Sequence, residues 1–105
     1  MGKRAELTAE LDRETRVLVI QRDKKKCIRC GARASSIHEI ISRSQWATPK
    51  LKECYSMKNR CSLCQDCHHE VQGIKQKNIV LFSILQERHG YNYSDAPFNR
   101  YMTNG

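Results

Sequence analysis

The sequence predicts a small α+β domain whose fold is stapled by a bound metal ion. Three observations carry this reading. Two Cys-x-x-Cys pairs, Cys27 with Cys30 and Cys64 with Cys67, stand 33 residues apart. Short apolar runs near these pairs read as strands, and longer runs with a helical period lie towards both ends of the chain. Only 7% of the 105 residues are aromatic, against 39% apolar and 29% charged, so a core of this size needs a second source of stability. The length fits one domain spanning residues 1–105.

Taken in order, Thr8 is a suitable N-cap for a helix over about residues 9–23, with Leu7, Leu11 and Leu18 on one face, widened by Val17 and Ile20. Cys27 to Gly31 forms a first knuckle, the glycine suiting its tight turn. Residues 35–41 read as a strand through Ile37, Ile40 and Ile41. Residues 42–58 are polar and interrupted by Pro49, so a loop is expected. A second strand over residues 61–64 runs into the second knuckle, and a helix follows from Gln65 or Asp66 to about Gln72, closed by Gly73. A further helix over about residues 76–89 pairs Val80 with Ile84 and Leu81 with Leu85, and Gly90 stops it. The tail, residues 91–105, carries turn chemistry and is expected to fray.

No apolar run reaches the length of a membrane span; the longest, residues 79–85, is broken by Ser83. The first residues alternate charge with apolar side chains and form no signal-peptide core. The expected location is therefore cytoplasmic, where thiols stay reduced. There two Cys-x-x-Cys pairs read as four thiolate ligands of one structural Zn²⁺, since that spacing turns both sulfurs onto one tetrahedral ion. Cys54 and Cys61 lack partner spacing and read as small buried thiols. The redox reading of Cys-x-x-Cys needs a βαβ context that is missing here.

The formal charge is +8, and all of it falls in residues 24–60, where ten basic side chains face two acidic ones. That segment opens on Lys24, Lys25 and Lys26. Such a concentration fits a polyanion, with nucleic acid the commonest partner. Between and beside the knuckles sit His38-Glu39, Asn59 and His68-His69. A strand–loop–strand–helix unit stapled by zinc would bring them together.

With these residues in place the sequence resembles the HNH endonuclease family, whose core is a treble-clef-like ββα-metal fold. The matching stretch runs from Cys27-Ile-Arg-Cys30, through Ile37-His38-Glu39-Ile40-Ile41-Ser42-Arg43-Ser44, to Asn59-Arg-Cys-Ser-Leu-Cys64-Gln-Asp-Cys67-His68. The motif core spans residues 27–72, with a helix on either side, and is most similar to small, zinc-stapled, phage-type members. The resemblance implies a metal-dependent DNA endonuclease that nicks or cuts double-stranded DNA. It implies a structural Zn²⁺ on Cys27, Cys30, Cys64 and Cys67, and a catalytic Mg²⁺ or Mn²⁺ on His38 and His68. Glu39 takes the general-base position and Asn59 the position that shapes the loop or binds metal. Four features depart from the family pattern: Glu39 replaces a second His, Ser42 replaces a frequent Pro, no Gly-Gly follows Ser44, and Gln72 stands where many members have another helix His. His69 and Gln72 are further candidate ligands.

Backbone phosphates are the expected contact with DNA, through Arg43 and the run Lys24, Lys25 and Lys26; phage packaging proteins are candidate partners. The cysteines and the charge alone also fit a non-catalytic zinc-ribbon module that binds nucleic acid, or a zinc-stapled adaptor for protein partners.

Overall fold

In the computed structural model, which describes residues 2–103, the chain opens with a 20-residue helix, α1 (Lys3–Arg22). It begins earlier than Thr8, with Gly2 at the N-cap. Thr8 lies inside the helix, where its Oγ1 donates to the Ala5 carbonyl at 2.9 Å instead of capping. The buried stripe also differs from expectation. Thr8, Leu11 and Val19 are buried, with Thr15 and Arg22 half-buried on the same side, while Val17 and Leu18 are exposed. Thr15 and Arg22 belong to it because their polar atoms are satisfied inside, which an apolar period does not register.

Two strands pair antiparallel, β1 (Ser36–Glu39) and β2 (Arg60–Leu63), with His38 opposite Cys61 and Glu39 opposite Arg60. Both are shorter than, or offset from, the predicted runs. All four residues of β2 are buried. Its outer edge is closed from both sides: the Ser62 amide donates to Asp23 Oδ2 at 2.8 Å, and the Ser62 carbonyl accepts from the Ile28 amide at 3.0 Å. The same Asp23 carboxylate binds the Arg22 guanidinium at 2.8 and 3.1 Å. Arg22 also donates to the carbonyls of Met57 at 2.6 Å and Arg60 at 2.7 Å. A charged pair thus fastens the end of α1 to β2. Arg60, fully buried, adds a second tie through Thr15 and Asp12 on α1.

The expected loop over residues 42–58 is broken into ordered pieces: two single turns of 3₁₀ helix, the short helix α2 (Leu51–Cys54), and a third 3₁₀ turn at Met57–Asn59. Leu51, Cys54 and Trp46 anchor it in the core. Helix α3 (Gln65–Val71) follows β2 directly and ends before Gly73, whose φ of 76° suits only a residue without a Cβ. Helix α4 (Lys75–His89) stops at the left-handed Gly90 as predicted. Its buried residues are Asn78, Leu81, Phe82 and Leu85; Val80 is turned to solvent.

The tail departs most from expectation. Tyr93 and Phe98 are buried, and α5 (Phe98–Thr103) packs back on the domain. Ring centroids of Phe82 and Tyr93 lie 4.6 Å apart, and Phe98 stands edge-on to both Phe82 and Trp46 at 5.6 Å. Five of the seven aromatic residues, Trp46, Phe82, Tyr93, Phe98 and Tyr101, are gathered into one cluster, which the tail completes. Residues 104 and 105, the end of the expected fraying segment, lie outside the described residues.

Two substitutions test these ties. Asp23→Ala leaves the Arg22 guanidinium, with only 7% of its side chain exposed, without a carboxylate. The expected loss in urea unfolding is about 3–5 kcal/mol; a loss below about 1 kcal/mol would match an exposed pair and contradict the role given to it. Phe98→Ala should cost about 3–5 kcal/mol by the same measurement, whereas a frayed tail would cost nothing.

Candidate functional site

The two knuckles meet. Candidate ligand atoms of Cys27, Cys30, Cys64 and Cys67 all lie within 4.8 Å of one another. Each pair is shaped by local backbone. Gly31, at φ 82°, lets its amide donate back to the Cys27 carbonyl at 2.9 Å, and the Cys27 amide donates to the Ala32 carbonyl at 2.7 Å. In the second pair Cys64 is the N-cap of α3, and its sulfur accepts from the Cys67 amide at 3.4 Å. An ion pair between Arg29 and Glu70 links the knuckles outside the cluster.

Burial raises the Cys27 thiol pKa, but amides of Cys64, Cys30 and Arg29 outweigh it and bring that thiol down to about 7. Cys67 is pushed up to about 12, first by burial and then by its neighbouring thiols. Four thiolates this close repel one another unless a cation sits among them, and four sulfurs are the donor set of a closed structural Zn²⁺ site. The cluster can hold such an ion. Cys54 and Cys61 stay apart from it; burial pushes Cys54 up to about 12 and Cys61 higher still, as expected of inert core thiols.

A separate cavity of about 640 Å³ opens beside the sheet, its wall including His38, Glu39, Arg43, His68, Gln72 and Asn78. His38 on β1 and His68 on α3 meet edge to face, their ring centroids 5.0 Å apart. The staple brings them there, because Cys67 immediately precedes His68. The cavity also takes Ser42 and Ser44 from the loop after β1, which Arg4 on α1 holds through Thr48 Oγ1 at 2.7 Å and the Trp46 carbonyl at 3.0 Å.

Asn78, on α4, escaped the sequence reading. Its Nδ2 donates to the carbonyls of Val71 at 2.8 Å and Ile74 at 2.9 Å, so its Oδ1 must face His38 Nε2, at 2.6 Å. An amide oxygen only accepts. His38 Nε2 therefore carries the proton, and the Nδ1 lone pair is left available. Burial, opposed by the Asn78 hydrogen bond and aided by the nearby His68, lowers the His38 pKa, which favours this neutral ring. His68 Nδ1 lies 2.9 Å from Ser36 Oγ. The one available signal for Asn78 was an amide on the otherwise apolar inward stripe of α4, with Leu81, Phe82 and Leu85.

The other expected residues are distributed differently. Asn59 is fully buried and does not reach the cavity. Its Oδ1 accepts from the Ile41 amide at 2.9 Å, and its Nδ2 donates to the carbonyls of Ile41 at 3.0 Å and Cys54 at 2.9 Å. It clamps the loop that follows β1 and is withdrawn from chemistry at the cavity. Glu39, one residue after His38, points to the opposite face of the strand. It lines a second cavity against α1 as well as the rim of the first. His69 faces away from the main cavity, on the outer side of α3 with Asp66 and Glu70. Lys24, Lys25 and Lys26 surround the turn after α1 and none of them lines the histidine cavity.

No helix among the described residues is long and apolar enough to cross a membrane. Compared with family models, curated proteins and solved structures, the chain matches none of them.

Purified chain should contain one zinc per molecule by elemental analysis. Cys30→Ser should remove that zinc and, with it, the helical circular dichroism of a folded domain, because metal binding and folding are one equilibrium at such sites. Zinc-free protein that remains folded would contradict a structural role for the cluster.

Proposed function

We propose that the chain is a metal-dependent endonuclease that hydrolyses DNA phosphodiester bonds with the cavity walled by His38 and His68. The observation that carries the reading is the meeting of these two imidazoles, distant in sequence, in an open cavity separate from the closed cysteine cluster. The resemblance to HNH nucleases supports it, since His38, Glu39, Asn59 and His68 stand at that family's spacing.

The donor set fits a catalytic divalent ion. The hydrogen bond to Asn78 leaves His38 Nδ1 as a lone-pair donor, His68 offers a second imidazole, and water and phosphate oxygens complete the shell of an open site. A Mg²⁺ or Mn²⁺ ion bound by His38 and His68 supplies neutralisation of the phosphate and of the leaving oxygen. Gln72, on the same wall, is an auxiliary oxygen donor.

The chain's own side chains do the rest. Glu39, at the rim, accepts the proton of the attacking water. Arg43, exposed at the cavity mouth, holds a non-bridging phosphate oxygen and so orients the scissile bond. Asn78 keeps His38 in one tautomer and one orientation, and Asn59 holds the loop that presents Arg43.

Supercoiled plasmid incubated with Mg²⁺ or Mn²⁺ should be nicked or linearised, and EDTA added too briefly to strip the cysteine-bound zinc should stop the reaction without unfolding the chain. His38→Ala and His68→Ala should abolish most cleavage while leaving zinc content unchanged. Glu39→Gln should lower cleavage by roughly 10²–10⁴-fold; rescue by high Mn²⁺ would reassign Glu39 as a metal ligand. DNA that is bound but left intact with every divalent ion would favour a zinc-stapled binding module instead. Separately, the ¹⁵N shifts of His38 should report the Nε2–H tautomer in the native chain and a shift towards the other in Asn78→Leu.

A further inference from the structure

We propose that the chain holds a second phosphate-binding cleft, between α1 and β1, which grips the nucleic-acid backbone beside the candidate site. The identity of the polyanion rests on the nuclease reading; the cleft itself does not. It encloses about 160 Å³ and is lined by Arg16 and Ile20 of α1, Lys25 and Arg33 flanking the first knuckle, and Ile37 and Ser62 of the sheet. No acidic side chain lines it. Arg16 is paired with Asp12 at 3.2 Å, so Lys25 and Arg33 carry the uncompensated charge.

The backbone spends energy to place Lys25. Lys24 and Lys25 have φ of 57° and 60°, two consecutive left-handed residues that are not glycine. Each such residue costs about 1–2 kcal/mol. Local hydrogen bonds hold them: the Lys25 amide donates to the Ile20 carbonyl at 3.0 Å, closing the end of α1, and the Lys25 carbonyl accepts from the Ala34 amide at 2.9 Å across the first knuckle. A strained turn that could have been glycine carries lysine at the edge of a cationic cleft, which points to use of that side chain.

The cleft neighbours the candidate site. It shares Arg16 and Ile37 with a hollow of about 410 Å³, which in turn shares Glu39 and Arg43 with the histidine cavity. The three hollows follow one another along β1, the middle one lined by Asp12 as well. Because both backbone groups of Ser62 are taken by Asp23 and Ile28, its partner Ile37 turns its own amide to the other edge of the hairpin. A strand whose scissile phosphate sits at Arg43 therefore meets Arg16, Arg33 and Lys25 as its backbone continues along these hollows. This gives part of the basic segment a site outside the catalytic cavity.

The test measures binding, not cleavage. The zinc-loaded chain is titrated against a fluorescent DNA duplex of about 20 base pairs, without Mg²⁺ or Mn²⁺, at several salt concentrations. The double variant Lys25→Ala with Arg33→Ala should weaken binding roughly 10- to 100-fold and lower the salt slope by about two. Arg13→Ala with Lys52→Ala, which removes the same charge from exposed positions outside these hollows, should change affinity less than about 2-fold. Lys25→Gly relieves the left-handed strain, so its thermal midpoint should rise while its affinity still falls; this separates binding from folding. Equal losses in both double variants, or no loss in the first, overturns the cleft while leaving the nuclease reading intact. A wild-type chain that shows these binding effects and never cuts DNA overturns the nuclease reading and leaves the cleft standing.

Discussion

Four sulfurs within 4.8 Å set the geometry of everything around them. The first pair lies in a tight turn after α1 and the second at the start of α3, so bringing the pairs together fixes that turn against α3 and β2. The Ile28 amide bonds to Ser62, Arg29 pairs with Glu70, and His68 is delivered to the face where His38 projects from β1. A domain with so few aromatic residues gains from such a constraint, because a bound ion replaces apolar area that the chain does not have. Without such an ion, the like-charged thiolates that would favour its binding are a source of repulsion.

Around this staple the chain uses buried charge in an unusual amount for its size. Arg22 with Asp23, and Arg60 with Asp12, join α1 to the sheet. Burying such groups is costly, and they hold only because nearly every donor meets a carbonyl, hydroxyl or carboxylate. Their effect is positional: α1 is set at the distance from β1 that leaves a groove between them. Arg60 lies in the basic segment of the sequence yet contributes nothing to its surface charge. Net charge by segment therefore overstates the cationic surface, and the positions of Arg43, Lys25 and Arg33 matter more than the total.

The histidine cavity draws on four distant parts of the chain. His38 comes from β1, His68 from α3, Arg43 from the loop clamped by Asn59, and Asn78 from α4. Two side chains that never touch the cavity interior, Asn59 and Arg4, decide where Arg43 stands. Asn78 sets the proton on His38, and so determines which nitrogen can serve as a donor. The sulfur cluster and the open imidazole cavity share α3 but differ in chemistry: the first offers four soft thiolates, the second imidazoles and oxygens.

Spacing along the chain was enough to identify the four clustered cysteines and the helix ends at Gly73 and Gly90, because each depends on short-range geometry or on ligand count; the closeness of His38 to His68 was expected only from the stapled strand–loop–strand–helix unit. Other features are set by distant partners. Thr8, Thr15 and Arg22 lie on the inward side of α1 because their polar atoms are satisfied there, which no hydropathy period reveals. The tail is ordered because Tyr93 and Phe98 find Phe82 and Trp46 across the fold. Asn59 and Glu39 were legible as residues of interest but not in their orientation: a buried carbonyl and amide claim one, and strand alternation turns the other to the far face. Asn78 carried no motif at all, and only the packing of α4 against β1 brings its amide to His38. Residue chemistry and local spacing were written in the sequence, whereas direction, burial and hydrogen-bond polarity arose from contacts between segments that the chain brings together only on folding.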